Sequence, residues 1–392
     1  MSDLARFTVN WNYPTLVRFG IGRIRDLADA CKSLGMKRPL LVTDPGLAGL
    51  PMISAAIEAN KKAGLPTGLF SDIQPNPVEK NVTDGVAAFR AGGHDGVIAF
   101  GGGSALDTGK AIALMVGQTR SIFDFEDRED WYTRVNVAGM APVVAVPTTS
   151  GTGSEVGRSS VVTDLRDHLK KIIFHARMMP AIVVADPELT VGLPAHITAA
   201  VGMDALSHNL EAYCASFYHP MADGIALQGM KLVWEWLPRA VKDGRDLEAR
   251  AHMMVASMMG ATAFQKGLGA MHALSHPCSA VLNTHHGLTN GVVMPYVLAF
   301  NRAAIADRLA ALARYLDLKD ASFAGVLDAV LNLRRDIGIP HSLAEIGVKP
   351  EHIVQFAPMA AIDLTAGSNP LPVGEREMTA LYEAAVAGRI VA

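Results

Sequence analysis

Cysteine is scarce in this chain, with only Cys31, Cys214 and Cys278 in 392 residues. Their odd number and the lack of paired spacing argue against a disulfide framework and favour a reducing, cytoplasmic environment. Cys278 stands among several histidines, but a small buried hydrophobic residue is a better interpretation of it than a metal ligand. Because 50% of the residues are hydrophobic, the chain is expected to be globular with a substantial core.

An excess of charge of either sign is also lacking. Lys and Arg number 35 and Asp and Glu number 38, which gives a formal net charge of −3, and no basic block occurs. Binding to nucleic acid or to an anionic membrane is therefore not expected. The first residues have no apolar core of the kind found in a signal peptide.

Long uninterrupted apolar runs are missing as well. Residues 251–265 are too few to span a membrane, and residues 267–301 include four His, two Pro and three Asn. Both stretches are predicted to be buried helices of a large domain, with no membrane partner.

The first half of the chain alternates short apolar segments with segments of helical periodicity. Strands are predicted at 39–43, 67–71, 96–100 and 142–146, and helices at 24–34, 52–63, 78–91 and 104–116. Apolar strands separated by helices indicate a parallel α/β sheet covered on both faces. After about residue 187 the strands stop and long apolar helices follow. We therefore predict an α/β domain over residues 1–187 and an all-helical domain over residues 188–392.

A glycine-rich loop follows the predicted strand 96–100. Gly101, Gly102, Gly103 and Ser104 open the helix that contains Asp107. Three glycines allow close approach of the backbone to an anion, and the first amides of a helix supply donors. A phosphate or pyrophosphate is the predicted ligand, although the loop is neither a G-x-G-x-x-G fingerprint nor a Walker A motif.

Two further features lie at predicted strand ends, where an open α/β sheet binds its ligand. Asp44 follows the strand 39–43 and either accepts hydrogen bonds from an adenosine ribose, which would favour NAD over NADP, or begins a turn. Hydroxyls suited to ribose or phosphate oxygens follow the strand 142–146, unless they only solvate a turn. They belong to Thr148, Thr149, Ser150, Thr152 and Ser154.

Histidine is concentrated in the charge-free run 267–301, which contains His272, His276, His285 and His286. Buried imidazoles need partners, and a metal ion would use several at once. An earlier segment places Asp204 four residues before the next candidate, His208, so a helix would present both on one face. One carboxylate with several imidazoles suits a divalent metal, Fe(II) or Zn(II).

Together these motifs resemble the iron-dependent (group III, metal-containing) alcohol dehydrogenases over nearly the whole length of the chain. They occur in the family's order: Gly101-Gly-Gly-Ser104-x-x-Asp107-x-x-Lys110, Pro147-Thr-Thr-x-Gly-Thr-Gly-Ser-Glu155, Asp186-Pro-x-Leu-Thr190, Gly202-x-Asp-Ala-Leu-x-His208, His272-x-x-x-His276-Pro and Asn283-Thr-x-His286-Gly287. The resemblance implies a Rossmann-like dinucleotide-binding domain followed by an all-α metal-binding domain, in the two-domain architecture of dehydroquinate synthase.

The resemblance also implies roles for individual residues. The implied metal ligands are Asp204, His208, His272 and His286, and His276 is implied as a catalytic group that assists proton transfer. The implied cofactor-binding residues are Asp44, Asn76, Gly102, Gly103, Ser104, Asp107, Thr148, Thr149, Thr152, Ser154, Lys170 and Leu189. His285 replaces a Pro common in the family and stands beside His286, so it is an alternative ligand.

The implied function is an NAD-linked alcohol dehydrogenase or aldehyde reductase that moves a hydride between a metal-activated alcohol and C4 of the nicotinamide. The substrate is a small alcohol or aldehyde, and a homodimer or a dimer-based homo-oligomer is expected. Alternatives on the same fold are a glycerol-dehydrogenase-like or dehydroquinate-synthase-like zinc enzyme. A non-redox metallohydrolase and a non-catalytic nucleotide sensor are alternatives of other classes.

Overall fold

A computed structural model describes residues 13–390, which fall into two compact units. The first unit comprises Pro14–Thr149 and Gly153–Gly192, and the second comprises Ser150–Thr152 and the described residues from Leu193 onward, together with Tyr13. The chain passes from one unit to the other between Gly192 and Leu193, close to the predicted domain boundary.

The first unit is built on a parallel sheet of six strands in the order β1-β8-β5-β4-β2-β3, beside a two-stranded antiparallel sheet of β6 and β7. The strands are β1 (Leu16–Phe19), β2 (Pro39–Val42), β3 (Gly68–Phe70), β4 (Gly96–Gly101), β5 (Val143–Pro147), β6 (Ser159–Asp164), β7 (Leu169–Phe174) and β8 (Ile182–Ala185). The predicted parallel α/β sheet is confirmed, and β2 to β5 match the four predicted strands. Strands β1, β6, β7 and β8 were not predicted from the sequence.

Five helices accompany the sheet of the first unit. They are α1 (Leu27–Ser33), α2 (Pro45–Ala48), α3 (Pro51–Lys62), α4 (Glu79–Ala91) and α5 (Gly103–Met115). Every residue of β2, β4, β5 and β8 is buried, as expected for strands covered on both faces. Since β2 and β4 are neighbours, the loops after their carboxyl ends lie side by side. These loops carry Asp44 and Gly101–Gly103.

The second unit is helical throughout its described residues, which confirms the all-α prediction. Its helices are α6 (Ala195–Cys214), α7 (Pro220–Lys242), α8 (Leu247–Ala263), α9 (Ala270–Leu282), α10 (His286–Tyr315), α11 (Phe323–Asp336), α12 (Ile353–Ala361) and α13 (Glu375–Ala387). From Thr198 to Cys214 every residue of α6 is buried, so this helix forms the centre of the unit. The apolar stretch 267–301 forms most of α9 and the first half of α10.

The three cysteines are free and buried, and burial raises the pKa of each thiol to about 12. Thiols that stay protonated are poor nucleophiles and poor metal ligands, which agrees with the interpretation of Cys278 as a packing residue. Within residues 13–390, no helix is both long enough and apolar enough to cross a membrane.

Candidate metal centre and phosphate loop

The central helix α6 and the helix α9 bring together three of the predicted ligands. Asp204 and His208 are four residues apart on α6, and His272 is in the first turn of α9. One ligand atom from each of these three buried residues lies within 4.8 Å of the other two. The rings of His208 and His272 stack with centroids 4.7 Å apart.

The fourth predicted ligand, His286, is the first residue of α10. Its Nε2 lies 3.7 Å from Asp204 Oδ1, and its ring centroid is 5.3 Å from that of His272. The next residue, Gly287, allows this approach, because a Cβ there would lie 2.5 Å from the carbonyl oxygen of Ala200. The start of α10 therefore packs directly on α6, and this contact places His286 beside Asp204.

Each of the three imidazoles forms a hydrogen bond through Nδ1. The partners are Gly151 O at 3.2 Å for His208, Glu211 Oε2 at 2.6 Å for His272 and Ser275 Oγ at 3.0 Å for His286. A carbonyl and a carboxylate only accept, and the Ser275 hydroxyl already donates to the carbonyl oxygen of His272 at 3.1 Å. Nδ1 of each ring therefore carries the proton, and Nε2 of each ring is left with a lone pair.

Electrostatics differ between the two stacked histidines. Burial lowers the pKa of His208 to about 4, so this ring is neutral at physiological pH. Burial also acts to lower the pKa of His272, but the hydrogen bond and charge of Glu211 and the charge of Asp204 outweigh it and raise the pKa. The carboxylates therefore favour positive charge at this site, whether the charge is carried by the His272 ring or by a bound cation.

The amide of Asn290 shows that this donor set suits a cation. Its Nδ2 lies 2.8 Å from Asp204 Oδ1, 3.2 Å from His286 Nε2 and 3.3 Å from His272 Nε2. Its buried Oδ1 has no hydrogen-bond partner in the described part of the chain. Two amide protons are too few for three converging acceptors. One carboxylate and three imidazoles fit a divalent metal of borderline softness, such as Fe(II) or Zn(II).

His276 lies next to this donor set and has a carboxylate partner of its own. Its Nδ1 is 2.7 Å from Asp363 Oδ2, and its ring stacks on His286 with centroids 5.3 Å apart. Burial raises the pKa of Asp363, but the charge and hydrogen bond of His276 and the hydrogen bonds from Thr365 lower it to about 2. Asp363 is therefore ionised and accepts a hydrogen bond from the N–H at Nδ1 of His276. This leaves Nε2 as the nitrogen able to exchange a proton.

His285, the alternative ligand, caps a helix. Its side chain is exposed, and its Nδ1 accepts a hydrogen bond from the backbone N–H of Leu288 at 3.3 Å. It is thus the N-cap of α10, where an acceptor satisfies one of the free backbone donors of the first turn. At this position the imidazole has a structural role at the surface.

The glycine loop after β4 has the geometry of an anion cradle. Gly101 has φ +148°, and a Cβ there would lie 2.7 Å from the Cβ of Ala105. A Cβ on Gly102 would lie 3.2 Å from Cγ2 of Thr149. Helix α5 begins at Gly103, so its first amides point into this loop without intrahelical acceptors.

Asp44 lies next to this loop at the end of β2. Its Oδ1 accepts a hydrogen bond from the backbone N–H of Leu47 at 3.1 Å and caps α2. Its Oδ2 is 3.4 Å from the position that a Cβ on Gly101 would take. Asp44 therefore begins a turn, as one of the two readings from the sequence has it, and its second carboxylate oxygen lies near the glycine loop. Its contact with a cofactor ribose stays a prediction.

Asp107 and Ser154 take part in a buried network beneath the loop. Asp107 accepts from the Ser154 hydroxyl at 2.5 Å and from the backbone N–H of Val161 at 3.0 Å. The buried Lys110 ammonium lies 3.3 Å from Asp107 and donates to the carbonyl oxygens of Ser154 and Ser159. These bonds attach the segment before β6 to α5, and the cofactor contacts predicted for Asp107 and Ser154 stay predictions.

The other predicted cofactor residues are spread over several elements. Asn76 has φ +53° and precedes the segment Pro77–Val78. This segment pairs with Thr163 of β6. Thr163 in turn lies opposite Lys170 on β7. The structure therefore brings Asn76 and Lys170 to one region of the small sheet. Thr148 is buried after β5, Ser104 is in the first turn of α5, Leu189 is buried in a 3-10 turn, and Thr152 falls in the second unit.

Glu155, beside Lys110, gives a prediction about stability. Burial raises the pKa of Glu155 to about 7, with partial compensation from its backbone hydrogen bond and from Lys110. The unfolded carboxyl titrates near 4.5, so the folded state binds more protons between these values and loses stability as the pH rises. We expect Glu155→Gln to be more stable than the wild type at pH 8, by on the order of 3 kcal/mol at most.

Urea denaturation at pH 5 and pH 8 measures this difference. The gain from Glu155→Gln should shrink as the pH falls toward 4.5, whereas the exposed control Glu58→Gln should show little change at either pH. A gain that is the same at both pH values would contradict the burial of an ionised Glu155.

Three polar side chains that bind the donor set or the adjacent His276 were not recognised in the sequence: Glu211, Asn290 and Asp363. Glu211 lies seven residues after Asp204, and Asn290 lies four residues after His286, so helical spacing would have indicated both. Asp363 is 87 residues from His276, and no local pattern connects them.

The chain combines two units. One is a parallel α/β unit with a glycine-rich loop suited to phosphate, and the other is a helical unit with a carboxylate–imidazole donor set. These are the parts expected of a metal-dependent, nucleotide-linked oxidoreductase. The family model of the iron-containing alcohol dehydrogenases matches residues 14–187, and the model of that family's C-terminal domain matches residues 198–386. The chain belongs to the iron-containing alcohol dehydrogenase family.

Three relatives illustrate the match. A 4-hydroxybutyrate dehydrogenase of Cupriavidus necator is 40% identical over 91% of this chain and 94% of its own. An NAD-dependent methanol dehydrogenase of Bacillus methanolicus is 38% identical over 92% and 95% of the two chains. The crystal structure of a 1,3-propanediol oxidoreductase has a TM-score of 0.91 at 34% identity and covers 96% of this chain and all of the other. The predicted family and reaction class are therefore confirmed.

Proposed function

We propose that this alcohol dehydrogenase holds one divalent metal, Fe(II) or Zn(II), on Asp204 Oδ1 and the Nε2 atoms of His208, His272 and His286. The observation that carries the proposal is the convergence of Asp204, His272 and His286 around the single amide nitrogen of Asn290. A ligand atom of His208 lies within 4.8 Å of those of Asp204 and His272. When bound by these residues, a metal would supply Lewis-acid chemistry: it would polarise the C–O bond of an alcohol or a carbonyl and lower the pKa of the hydroxyl.

The protein's own residues then orient the reactants and move the proton. Gly151, Glu211 and Ser275 hold the three imidazoles with Nε2 inward, so the ligand set needs little rearrangement. His276 accepts the hydroxyl proton at Nε2 during oxidation, while Asp363 stabilises the resulting imidazolium through Nδ1. In reduction the same histidine returns the proton.

We propose NAD as the hydride carrier, with its pyrophosphate at Gly102, Gly103 and Ser104. The free amides at the start of α5 and the glycine contacts support this placement. The name of the Bacillus methanolicus relative, an NAD-dependent dehydrogenase, agrees with it. Further contacts are proposed for Asn76, Asp107, Thr148, Thr149, Thr152, Ser154, Lys170 and Leu189.

Asp44 leads us to expect a preference for NAD over NADP. Its carboxylate, beside the phosphate loop, would accept hydrogen bonds from a ribose 2′-hydroxyl and repel a 2′-phosphate. Steady-state kinetics should give a higher kcat/KM with NAD, and Asp44→Gly should reduce that preference. Because Asp44 also caps α2, the unfolding temperature of the variant serves as a control for misfolding. A wild type that prefers NADP would contradict the role of Asp44.

For the substrate we propose a short-chain primary alcohol. The substrates named for the three relatives, 4-hydroxybutyrate, methanol and 1,3-propanediol, share a primary hydroxyl. Protein reconstituted separately with Fe(II) and Zn(II) should reduce NAD with at least one of these alcohols. Activity in neither metal form, with any of them, would contradict the substrate class.

We also propose a homodimer or a dimer-based homo-oligomer in the cytoplasm. The edge strand β1 has exposed Leu16 and Phe19, which would gain from burial against a second copy. The three buried, reduced thiols support a reducing compartment.

A further inference from the structure

Glu211 forms one hydrogen bond to the proposed ligand His272 and a second one to the backbone beside it. It is 5% exposed, in the middle of the second unit. Its Oε2 lies 2.6 Å from Nδ1 of His272, and its Oε1 accepts from the backbone N–H of Met271 at 2.7 Å. One carboxylate therefore holds both the ring of a metal ligand and the backbone next to it.

We propose that Glu211 is a positioning residue that keeps His272 in the tautomer with the proton on Nδ1 and thereby sets the affinity of the metal site. The proposal rests on the proposed function of His272 as a ligand. A neutral imidazole binds a metal only through a nitrogen that carries no proton. Because a carboxylate can only accept a hydrogen bond, Glu211 requires the proton on Nδ1 and leaves Nε2 bare.

The location of Glu211 on α6 couples this effect to the other ligands. Asp204, His208 and Glu211 follow each other at intervals of four and three residues, so they share one face of the helix. One rigid helix therefore presents two ligands directly and orients a third, which is on α9. A shift of α6 would disturb all three at once.

The approach of Glu211 to α9 depends on a glycine. A Cβ on Gly269 would lie 2.8 Å from Glu211 Oε1 and 2.9 Å from Asn369 Oδ1. Asn369 Oδ1 accepts from the backbone N–H of Ala270 at 3.1 Å, next to the bond from Met271 to Glu211. Two side-chain oxygens thus bind the first amides of α9, where a negative charge is favoured.

The variant Glu211→Gln is designed to change the tautomer of His272 while it leaves the packing around residue 211 nearly unchanged. Its amide oxygen is able to keep the bond from Met271, while its NH₂ group faces Nδ1 of His272 as a donor. This reverses the hydrogen bond, because Nδ1 must now accept, and the proton moves to Nε2. The ligand atom of His272 is then blocked with hardly any change in side-chain shape.

Zinc affinity measured by chelator competition tests the proposal. We expect Glu211→Gln to bind zinc about 10- to 100-fold more weakly than the wild type. Glu211→Asp, which keeps an acceptor, should recover part of that affinity. The matched control Asp223→Asn neutralises a carboxylate of the same unit that pairs with Lys266 and Arg308, and it should bind zinc as the wild type does.

A second measurement reads the tautomer without metal or activity. Nitrogen-15 NMR of metal-free protein labelled at histidine should show His272 protonated on Nδ1 in the wild type and on Nε2 in Glu211→Gln. The wild-type spectrum tests the proposal even if the variant does not fold, since an unprotonated Nδ1 of His272 in the wild type would overturn it.

The outcomes separate this proposal from the ligand assignment. Equal zinc affinity of the folded Glu211→Gln and the wild type would overturn the role of Glu211 and leave the ligands intact. A wild type that binds neither zinc nor iron would overturn the ligand assignment and this proposal with it.

Discussion

His272→Ala should purify without bound metal and with alcohol oxidation reduced by roughly 10³-fold or more, because a catalytic metal contributes several kcal/mol to the reaction. The ring of His272 is 2% exposed and supplies one of three inward Nε2 atoms. Its loss also leaves the buried carboxylate of Glu211 without its imidazole partner. Metal content by mass spectrometry and kcat with NAD measure the two effects on one preparation.

His252→Ala is the matched control for this variant. His252 also lies in the second unit, where its ring stacks on Trp236 with centroids 4.1 Å apart, outside the donor set. It should retain metal and activity. A His272→Ala protein that kept its metal and its activity would contradict the proposed metal centre.

The second large effect concerns the transfer of the hydroxyl proton of the substrate to His276. We expect His276→Ala to lower kcat by about 10²- to 10⁴-fold, the usual contribution of a general acid–base group, while its metal content stays at the wild-type level. The reason is that His276 stacks on the proposed ligand His286 but forms its own hydrogen bond to Asp363. Parallel assays of kcat and bound metal distinguish this variant from His272→Ala.

His285→Ala is its control, because His285 is a neighbour of His286 in sequence and caps α10 with Nδ1. It should have nearly wild-type kcat and a small loss of thermal stability. If His276→Ala lost its metal, His276 would be a ligand, and if it kept full kcat, another group would have to carry the proton.

The sequence predicted most of the donor set because helical spacing is a local property. The pairs Asp204–His208 and His272–His276 share the same spacing of four residues, yet they have different fates. Asp204 and His208 both belong to the donor set. In the second pair only His272 belongs to it, because His276 is hydrogen-bonded to Asp363. Spacing predicts which residues share a face, and the partner of each ring decides its role.

Some partners of the histidines came from distant segments and were beyond the reach of sequence patterns. Gly151, which accepts from His208, and Asp363, which accepts from His276, are separated from them by 57 and 87 residues. Such contacts depend on how the helices pack.

Three of the four missed strands have a similar explanation, whereas β8 is a continuous apolar run whose signal was present in the sequence. The edge strand β1 contains Arg18 between apolar residues, and β6 and β7 contain Ser and Lys, so none of them shows the continuous apolar run of a central strand. The central strands β2, β4 and β5 were predictable because burial on both faces requires such a run.

An anomalous diffraction map of crystals grown with Fe(II) under anaerobic conditions tests the central claim most directly. We expect one strong iron peak, bonded to Asp204 Oδ1 and to Nε2 of His208, His272 and His286, with the amide of Asn290 displaced from its present position. The absence of a peak there, or an iron bound through His276 or His285, would contradict it.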